Sequence, residues 1–471
     1  MKQYILPKKI VLEEQMDNSS NLFIKKHLQI ELNEQFYSVL NANGYIVLDF
    51  GKELCGGVRL LTFWTGNSRQ IKLHIRFGES LTECCSNIGD KNATNDHSPR
   101  DFFVNVPFLS DLTFGQTGFR FVRIDNVSNE YIQFKSILAE NNIFYRKTIY
   151  NYNGKDVVIK KIFNTAKRTI NLCASGNFIW DGIKRDRIVW IGDMHPEMLA
   201  LVTLYGELKI IEDSLDFVKE QTPLPNWMNN FPTYSMWWII IVADYFIRTN
   251  NRKFAFNQLE YMKGLIKQMN DCVQDDGTIN YPHYFVDWQT SGSIDEKQGV
   301  RCINIIACKK AIGFLEGFNE DAVVAKEMLS KLLKKEIVVE RQKQVIGLKY
   351  FAVGLNEKDK KKLLENGVNG FSTFMSYYIL KAIASFDKEK AVEMLKEYYG
   401  AMLNKGATTF WEDFDIRWTE NSCRIDEFPK AGEKDIHGDF GAHCYIGFRH
   451  SLCHGWSAGI IKFIKEIDNG V

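Results

Sequence analysis

The sequence predicts a multi-domain chain of two regions, an antiparallel β-sandwich over residues 1–150 followed by an (α/α) toroid over residues 151–471. Three observations point there. Before about residue 148, short runs of β-branched and aromatic residues are punctuated by Gly, Asn and Ser, with no helical period. From about residue 154, apolar residues recur at three- and four-residue spacing. The connections between these later stretches are irregular and rich in acids and aromatics, which suits a ring of helical hairpins whose loops build a site at one end. At 471 residues the chain also exceeds the usual size of one domain.

The strands come first. Runs at 45–50, 57–63 and 70–77 have strand composition, and 118–125 alternates apolar and basic residues as a half-buried strand does. Several strands without intervening helices favour an antiparallel sandwich. An amphipathic helix is predicted over 156–173. Similar stretches follow near 196–220, 235–249, 253–272, 299–316, 319–335, 371–385, 387–404 and 452–467. No low-complexity linker separates the halves, so direct packing of one on the other is expected.

Composition narrows the function. With 59 basic and 58 acidic residues, the charge balance argues against nucleic acid or an anionic membrane as the main partner. The longest apolar run, 236–243, is far too short to span a bilayer, and the N-terminal stretch lacks a signal-peptide core. The cysteines show no disulfide framework, so reduced thiols in a cytoplasmic protein are expected. His443-Cys444 and Cys453-His454 come nearest to a zinc pattern. Adjacent residues share one tetrahedral ion poorly, and no metal or cofactor is expected.

The densest constellation lies at 181–193. There Asp181, Asp186 and Asp193 alternate with Arg185 and Arg187 around Trp190. Charge this concentrated beside a large aromatic indicates a polar cavity, in which arginines hold some carboxylates ionised while burial raises the pKa of another. The bland alternative is a salt-bridged surface loop. Four further breaks between helices carry acids, His or Trp: 406–414 with Glu412, 281–288 with Asp287 and Trp288, 226–238, and 451–458 with His454 and Trp456. Two carboxylates across a pocket with aromatic walls are the minimal equipment for glycoside hydrolysis. One protonates the leaving oxygen while the other attacks the anomeric carbon or activates water. Asp287 and His454 are equally readable as satisfied buried polar groups. Trp237 and Trp238, adjacent on an apolar helix, read as core.

The pattern Asp-x-x-x-Arg-acid-Arg-x-x-Trp-x-Gly-Asp at 181–193 resembles the signature of the α-L-rhamnosidases of glycoside hydrolase family 78. Gly-Ala-Thr-Thr-x-Trp-Glu at 406–412 resembles that family's second signature, and Asp287-Trp288 and Ser451-Leu-Cys-His454 match two shorter stretches. In the first half, Asp49-Phe-Gly51, Gly57-Val-Arg59, Gly78-Glu79 and Gly118-Phe-Arg-Phe-Val122 resemble the sandwich that precedes the family's barrel. The resemblance implies Glu412 as the general base, Asp186 as the general acid, and Asp181 and Asp193 as binders of sugar hydroxyls. It also implies that Arg185 holds the carboxylates, that Trp190 walls the subsite, and that the reaction inverts configuration. Asp287, Trp288 and His454 join the substrate-binding set.

Two departures stand out. Asp186 occupies the place of the family's glutamate, one methylene shorter, and Gly182-Ile183 replaces the usual Cys-Pro. The resulting expectation is an inverting exo-glycosidase for terminal α-L-rhamnose or a similar 6-deoxy sugar. Its partner is a glycoside or oligosaccharide, and homo-oligomerisation is left open. The alternatives are a related hydrolase for another sugar such as a uronic acid, and a non-catalytic glycan-binding protein with a degenerate site.

Overall fold

The computed structural model describes residues 2–26, 29 and 35–469. Among these, every strand precedes residue 143: β1 (Lys2–Ile5), β2 (Lys9–Asp17), β3 (Ser38–Thr62), β4 (Gln70–Gly78), β5 (Asp101–Pro107), β6 (Asp111–Asn126) and β7 (Ile132–Asn142). They run in the order β1-β7-β3-β6-β4-β5, with β2 also on β3. The pairs β1·β7, β2·β3, β3·β6, β4·β5 and β4·β6 are antiparallel. Phe134 of β7 stands opposite Ser38 and also opposite Thr62, so both ends of β3 meet β7 and the sheet folds back over itself. Leu48, Phe50, Leu60, Phe77, Phe119 and Phe134 fill the enclosed space.

The runs 45–50 and 57–63, read from sequence as separate strands, are one. Its register against β6 shifts between Asp49 and Leu54 and again between Gly56 and Val58. Bulges absorb extra residues and bend a strand without ending it. Gly51 supplies the left-handed backbone that the bend needs, with φ of 77°. At Gly56 a Cβ would lie 2.1 Å from the Glu140 carbonyl oxygen, so no side chain fits.

Apart from the short α1 (Leu81–Cys85), the helices follow the strands. They are α2 (Val157–Cys173), α3 (Met194–Tyr205), α4 (Lys209–Gln221), α5 (Pro232–Thr249), α6 (Arg252–Phe256), α7 (Leu259–Asp271) and α8 (Glu296–Glu316). The rest are α9 (Val323–Leu332), α10 (Lys343–Val353), α11 (Glu357–Leu364), α12 (Ser376–Ala384), α13 (Lys388–Asn404) and α14 (Ile460–Asp468). The predicted stretch 196–220 is two helices, because Gly206 at φ 74° ends α3. The pair α10 and α11 was not predicted. Lysines interrupt the apolar stripe of α10, yet Lys349 is buried against Asp359 of α11 at 2.7 Å, and Lys343 donates to the carbonyls of Glu365 and Gly367.

Contacts between helices run from α3 to α5, α8, α10, α12 and α14, and return to α3. Trp237 and Trp238 of α5 are both buried, as their adjacency on an apolar helix predicts, Trp237 against His195 and Tyr378 within the circuit and Trp238 against α4 and α7 on the other side of α5. The segments leading into α3, α5, α8 and α14 converge on one cavity, and segment 181–193 lies there. The two regions of the chain touch directly. Arg168 of α2 donates to the Glu53 carbonyl in β3, and Arg120 of β6 donates to the Gly406 carbonyl while pairing with Asp49 and Asp426. Cys55, Cys173, Ile183 and Cys453 pack in the seam, all cysteines being free thiols. Among the described residues no helix is long and apolar enough to cross a membrane.

Candidate active site

The cavity, about 230 Å³, is lined by Asp181, Arg185, Asp186, Trp190, Asp193, Trp288, Glu412 and His454, residues drawn from four breaks in the chain. Pockets for drug-sized ligands run to roughly 300–1,000 Å³, so this one suits a single sugar ring rather than an oligosaccharide. Of the residues predicted from sequence, Asp287 alone stands outside the main cavity. Its carboxylate accepts from the Thr290 backbone N–H at 2.9 Å and the Ser372 hydroxyl at 3.3 Å, beside a small adjoining cleft that Trp288 and Glu412 also line.

Arg185 organises the site. Its guanidinium donates to Glu412 Oε1 from one nitrogen and to Asp186 Oδ1, at 3.3 Å, from the other. Burial works against the guanidinium charge, but Glu412 and Asp186 outweigh it and hold Arg185 protonated. The second oxygen of Glu412 accepts from the Ser451 backbone N–H at 3.1 Å. The Glu412 backbone is fixed as well, its carbonyl accepting from Thr373 and from the Trp456 indole.

Asp186 is also surrounded by donors. Oδ2 accepts from the Trp190 indole N–H at 3.1 Å, so Trp190 is a polar partner as well as a wall. Oδ1 lies 3.2 Å from His97 Nδ1, a residue of the loop between α1 and β5 that sequence reasoning did not connect with this site. Arg187 turns away from the acids, donating to the backbone carbonyls of Gln116 and His97. Those bonds help hold Asp186 and Arg187 in the left-handed region, at φ 55° and 56°. Strain of this kind, about 1–3 kcal/mol per residue, persists where surrounding structure over-determines the backbone.

The remaining acids are in the opposite condition. Burial pushes the carboxyls of Asp181 and Asp193 well above the usual range, and the neighbouring acids push them further. Neutral carboxyls can both donate to and accept from sugar hydroxyls. His454 Nε2 lies 3.7 Å from Asp181, 3.9 Å from Asp193 and 3.7 Å from Glu412. Burial lowers its pKa well below the ordinary value, favouring neutral imidazole. Gly182 pairs with His454 in an isolated β-bridge, which brings segments 181–193 and 451–458 together.

An aromatic belt closes the sides. Trp190 meets Tyr234 edge-on at 6.0 Å, Phe231 and Phe285 lie 4.9 Å apart, and Phe285 meets Trp288 at 5.2 Å. Tyr445 and Trp456 continue it, and Trp288 remains about one-third exposed at the rim. Phe231 and Tyr234 lie in the stretch 226–238 and Phe285 in 281–288, both marked in the sequence, whereas Tyr445 carried no signal that separated it from core aromatics.

Behind Glu412 lies a buried ionic cluster shared with the sheet. Glu79 accepts from Leu452 N–H at 2.7 Å and Ser451 Oγ at 3.2 Å, while Lys184 sits 3.4 Å from Glu79 and 2.7 Å from Glu83. Glu79, Glu83 and His437 have metal-like spacing, but the Lys184 ammonium already supplies the positive charge there. Burial pushes the Glu79 carboxyl up to about 7 against the pull of Lys184. An unfolded glutamate loses its proton near 4.3, so between about pH 4 and about pH 7 the unfolded chain sheds a proton that the folded chain keeps, and stability falls as pH rises. The melting temperature of the native protein is therefore expected to drop relative to that of Glu79→Gln across this window. A gap that stays constant with pH would contradict the assignment.

No family model matches the chain, and no curated protein matches it in sequence. Solved structures do match. A rhamnosidase from Klebsiella oxytoca with rhamnose bound aligns over 100% of this chain and 96% of its own, with TM-score 0.76 and 18% identity. The GH78 family rhamnosidase of Bacillus sp. GL1 aligns over 96% of this chain and 48% of its own, with TM-score 0.72 and 16% identity. The Streptomyces avermitilis α-L-rhamnosidase complexed with L-rhamnose aligns over 90% and 42%, with TM-score 0.63 and 12% identity. The chain thus spans nearly all of the first structure and about half of the other two. It has the fold of the family 78 α-L-rhamnosidases.

Proposed function

We propose, from the premise that this chain carries the α-L-rhamnosidase fold, that it is an inverting exo-glycosidase releasing terminal α-L-rhamnose or a similar 6-deoxy sugar. The observation that carries the reading is the Arg185 bridge between two carboxylates on one small cavity. A guanidinium plus two hydrogen bonds separates carboxyl groups by roughly 6–8 Å, overlapping the roughly 6.5–9.5 Å that leaves room for water in an inverting enzyme. Retaining enzymes hold theirs closer, at about 5–5.5 Å. The architecture we propose is a β-sandwich over residues 1–150 and an (α/α)6 toroid over residues 151–471. The closed circuit of α3, α5, α8, α10, α12 and α14 supports the second, and the doubled-back sheet supports the first.

In this reading Glu412 is the base. Arg185 and the Ser451 N–H fix its two oxygens in place, and in this reading it takes the proton of the attacking water. Asp186 is the acid that protonates the leaving oxygen, carried on left-handed backbone. Asp181, Asp193 and His454 hold the sugar hydroxyls, and Trp190 and Trp288 face the ring and its methyl group. Asp287 shapes the turn that carries Trp288. A cavity of about 230 Å³ with Trp288 exposed at its rim supports exo action on a glycoside whose aglycone stays outside. One observation favours the binding-only alternative: Asp186 is ringed by donors, which suits an acceptor better than a proton source. A panel of aryl glycosides separates the two. The native protein is expected to turn over the α-L-rhamnoside faster than uronides or hexosides, and saturable sugar binding without turnover of any member would overturn the reading.

A further inference from the structure

The donors around Asp186 pose a problem that the loop from the sheet region answers. A general acid must begin each cycle with a proton, yet Arg185 and the Trp190 indole give Asp186 hydrogen bonds and no proton to pass on. The third neighbour differs. His97 is an imidazole, its Nδ1 lies 3.2 Å from Oδ1 of Asp186, and its side chain is 40% exposed. It touches the acid on one side and solvent on the other. Nor is the contact a chance of a loose loop. Arg187, next to Asp186, donates to the His97 carbonyl at 3.0 Å and to the Gln116 carbonyl at 2.9 Å, tying the acid's own segment to the loop that carries His97.

Resting on the glycosidase reading above, we propose that His97 is the proton-holding partner of Asp186, a positioning residue that loads the general acid from solvent. The pair shares one proton. The His97 Nδ1–H bond breaks as Asp186 O–H forms, and Asp186 then gives that proton to the glycosidic oxygen. The C–O bond breaks with its electron pair on the leaving oxygen. Water adds to the anomeric carbon from the other face and loses its proton to Glu412. After the aglycone departs, Glu412 releases its proton to solvent and the pair regains one proton from solvent through the exposed side of His97.

The charges facing the pair set when it is loaded. Arg185 stands against Asp186, with Glu412 on its far side, and Asp181, Asp193 and His454 act on Asp186 across the cavity. His97 is faced by Asp96, which Arg449 holds at 3.3 Å, and by Arg187 over its carbonyl. Loss of the shared proton switches the enzyme off, so it produces the alkaline limb of the pH profile.

The test compares the native enzyme with His97→Asn, which keeps an N–H donor, and His97→Ala, using an alkyl and a 2,4-dinitrophenyl α-L-rhamnoside. An alkoxide leaves only with a proton, whereas a dinitrophenolate leaves without one. Both variants are expected to lose kcat/KM on the alkyl substrate by about 10-fold or more beyond their loss on the dinitrophenyl substrate, with the alkaline limb displaced. Added imidazole is expected to restore part of the His97→Ala loss. Equal losses on both substrates with an unmoved alkaline limb would show a merely structural histidine and overturn the proposal while leaving the glycosidase reading intact. Unchanged rates in both variants would do the same. If the native protein turns over neither substrate, the reading falls and this proposal with it.

Discussion

Glu412→Gln is expected to lower kcat on an α-L-rhamnoside by about 10²–10⁴-fold, the span typical of a lost general base. The amide keeps the shape of the side chain and one oxygen, so the hydrogen bond from Arg185 or from the Ser451 N–H can persist, though not both in their present form. The amide cannot take a proton from water, and that is the function removed. Because an amide still hydrogen-bonds sugar hydroxyls, KM is expected to change far less than kcat, the signature of an interaction made in the transition state. Steady-state kinetics on a good leaving group reads this directly, since departure of such a group leans little on Asp186. A variant with near-native kcat would remove Glu412 from the role of base.

The second large effect belongs to Arg185. Replacing it with Met keeps the volume and deletes the charge between Glu412 and Asp186. Both arginine and Glu412 are buried, with side chains 7% and 3% exposed, so the loss leaves a buried carboxylate without its counter-ion. Breaking a buried pair from one side costs about 3–5 kcal/mol, to be seen as a lowered midpoint in urea unfolding. The same variant is expected to lose most of its kcat on an α-L-rhamnoside, because Glu412 and Asp186 no longer share one anchor. Native stability with native kcat would show that the bridge organises nothing.

How much of this was legible beforehand depends on where the signal lay. Segment 181–193 announced itself because charge was concentrated around Trp190, and five of its residues, Asp181, Arg185, Asp186, Trp190 and Asp193, line one cavity in the structure. Glu412 was legible only with its motif, since a lone Trp-Glu in a helix break says little. The partners that complete the site were not legible. His97 reaches Asp186 from the sheet region, 89 positions earlier by number (186 minus 97), and nothing in its local sequence marks it. The fold shows the same divide. Period and turn residues located most elements, but β3 was split in two because its glycines resemble chain breaks, whereas a bulged strand uses them to bend. The helix α10 was missed because Lys343 and Lys349 look like surface residues. Each is buried against a partner that only the tertiary structure supplies.

The assignment of Arg187 shows how tertiary structure redistributes charge. In sequence it flanks Asp186 and competes with Arg185 as its counter-ion. In the fold it spends its donors on two backbone carbonyls of the sheet region, and the acid is left to Arg185, Trp190 and His97. Spacing along the chain cannot distinguish those outcomes, because the backbone at Asp186 and Arg187 is left-handed and sends neighbouring side chains to different places.

The central claim is that water activated by Glu412 attacks across the ring from the acid. Proton NMR of the first product released from an aryl α-L-rhamnoside, recorded before the sugar equilibrates, tests it most directly. The account predicts that β-L-rhamnose forms first. Initial release of α-L-rhamnose would mean retention of configuration, and the two-carboxylate arrangement around Arg185 would then have to be read another way.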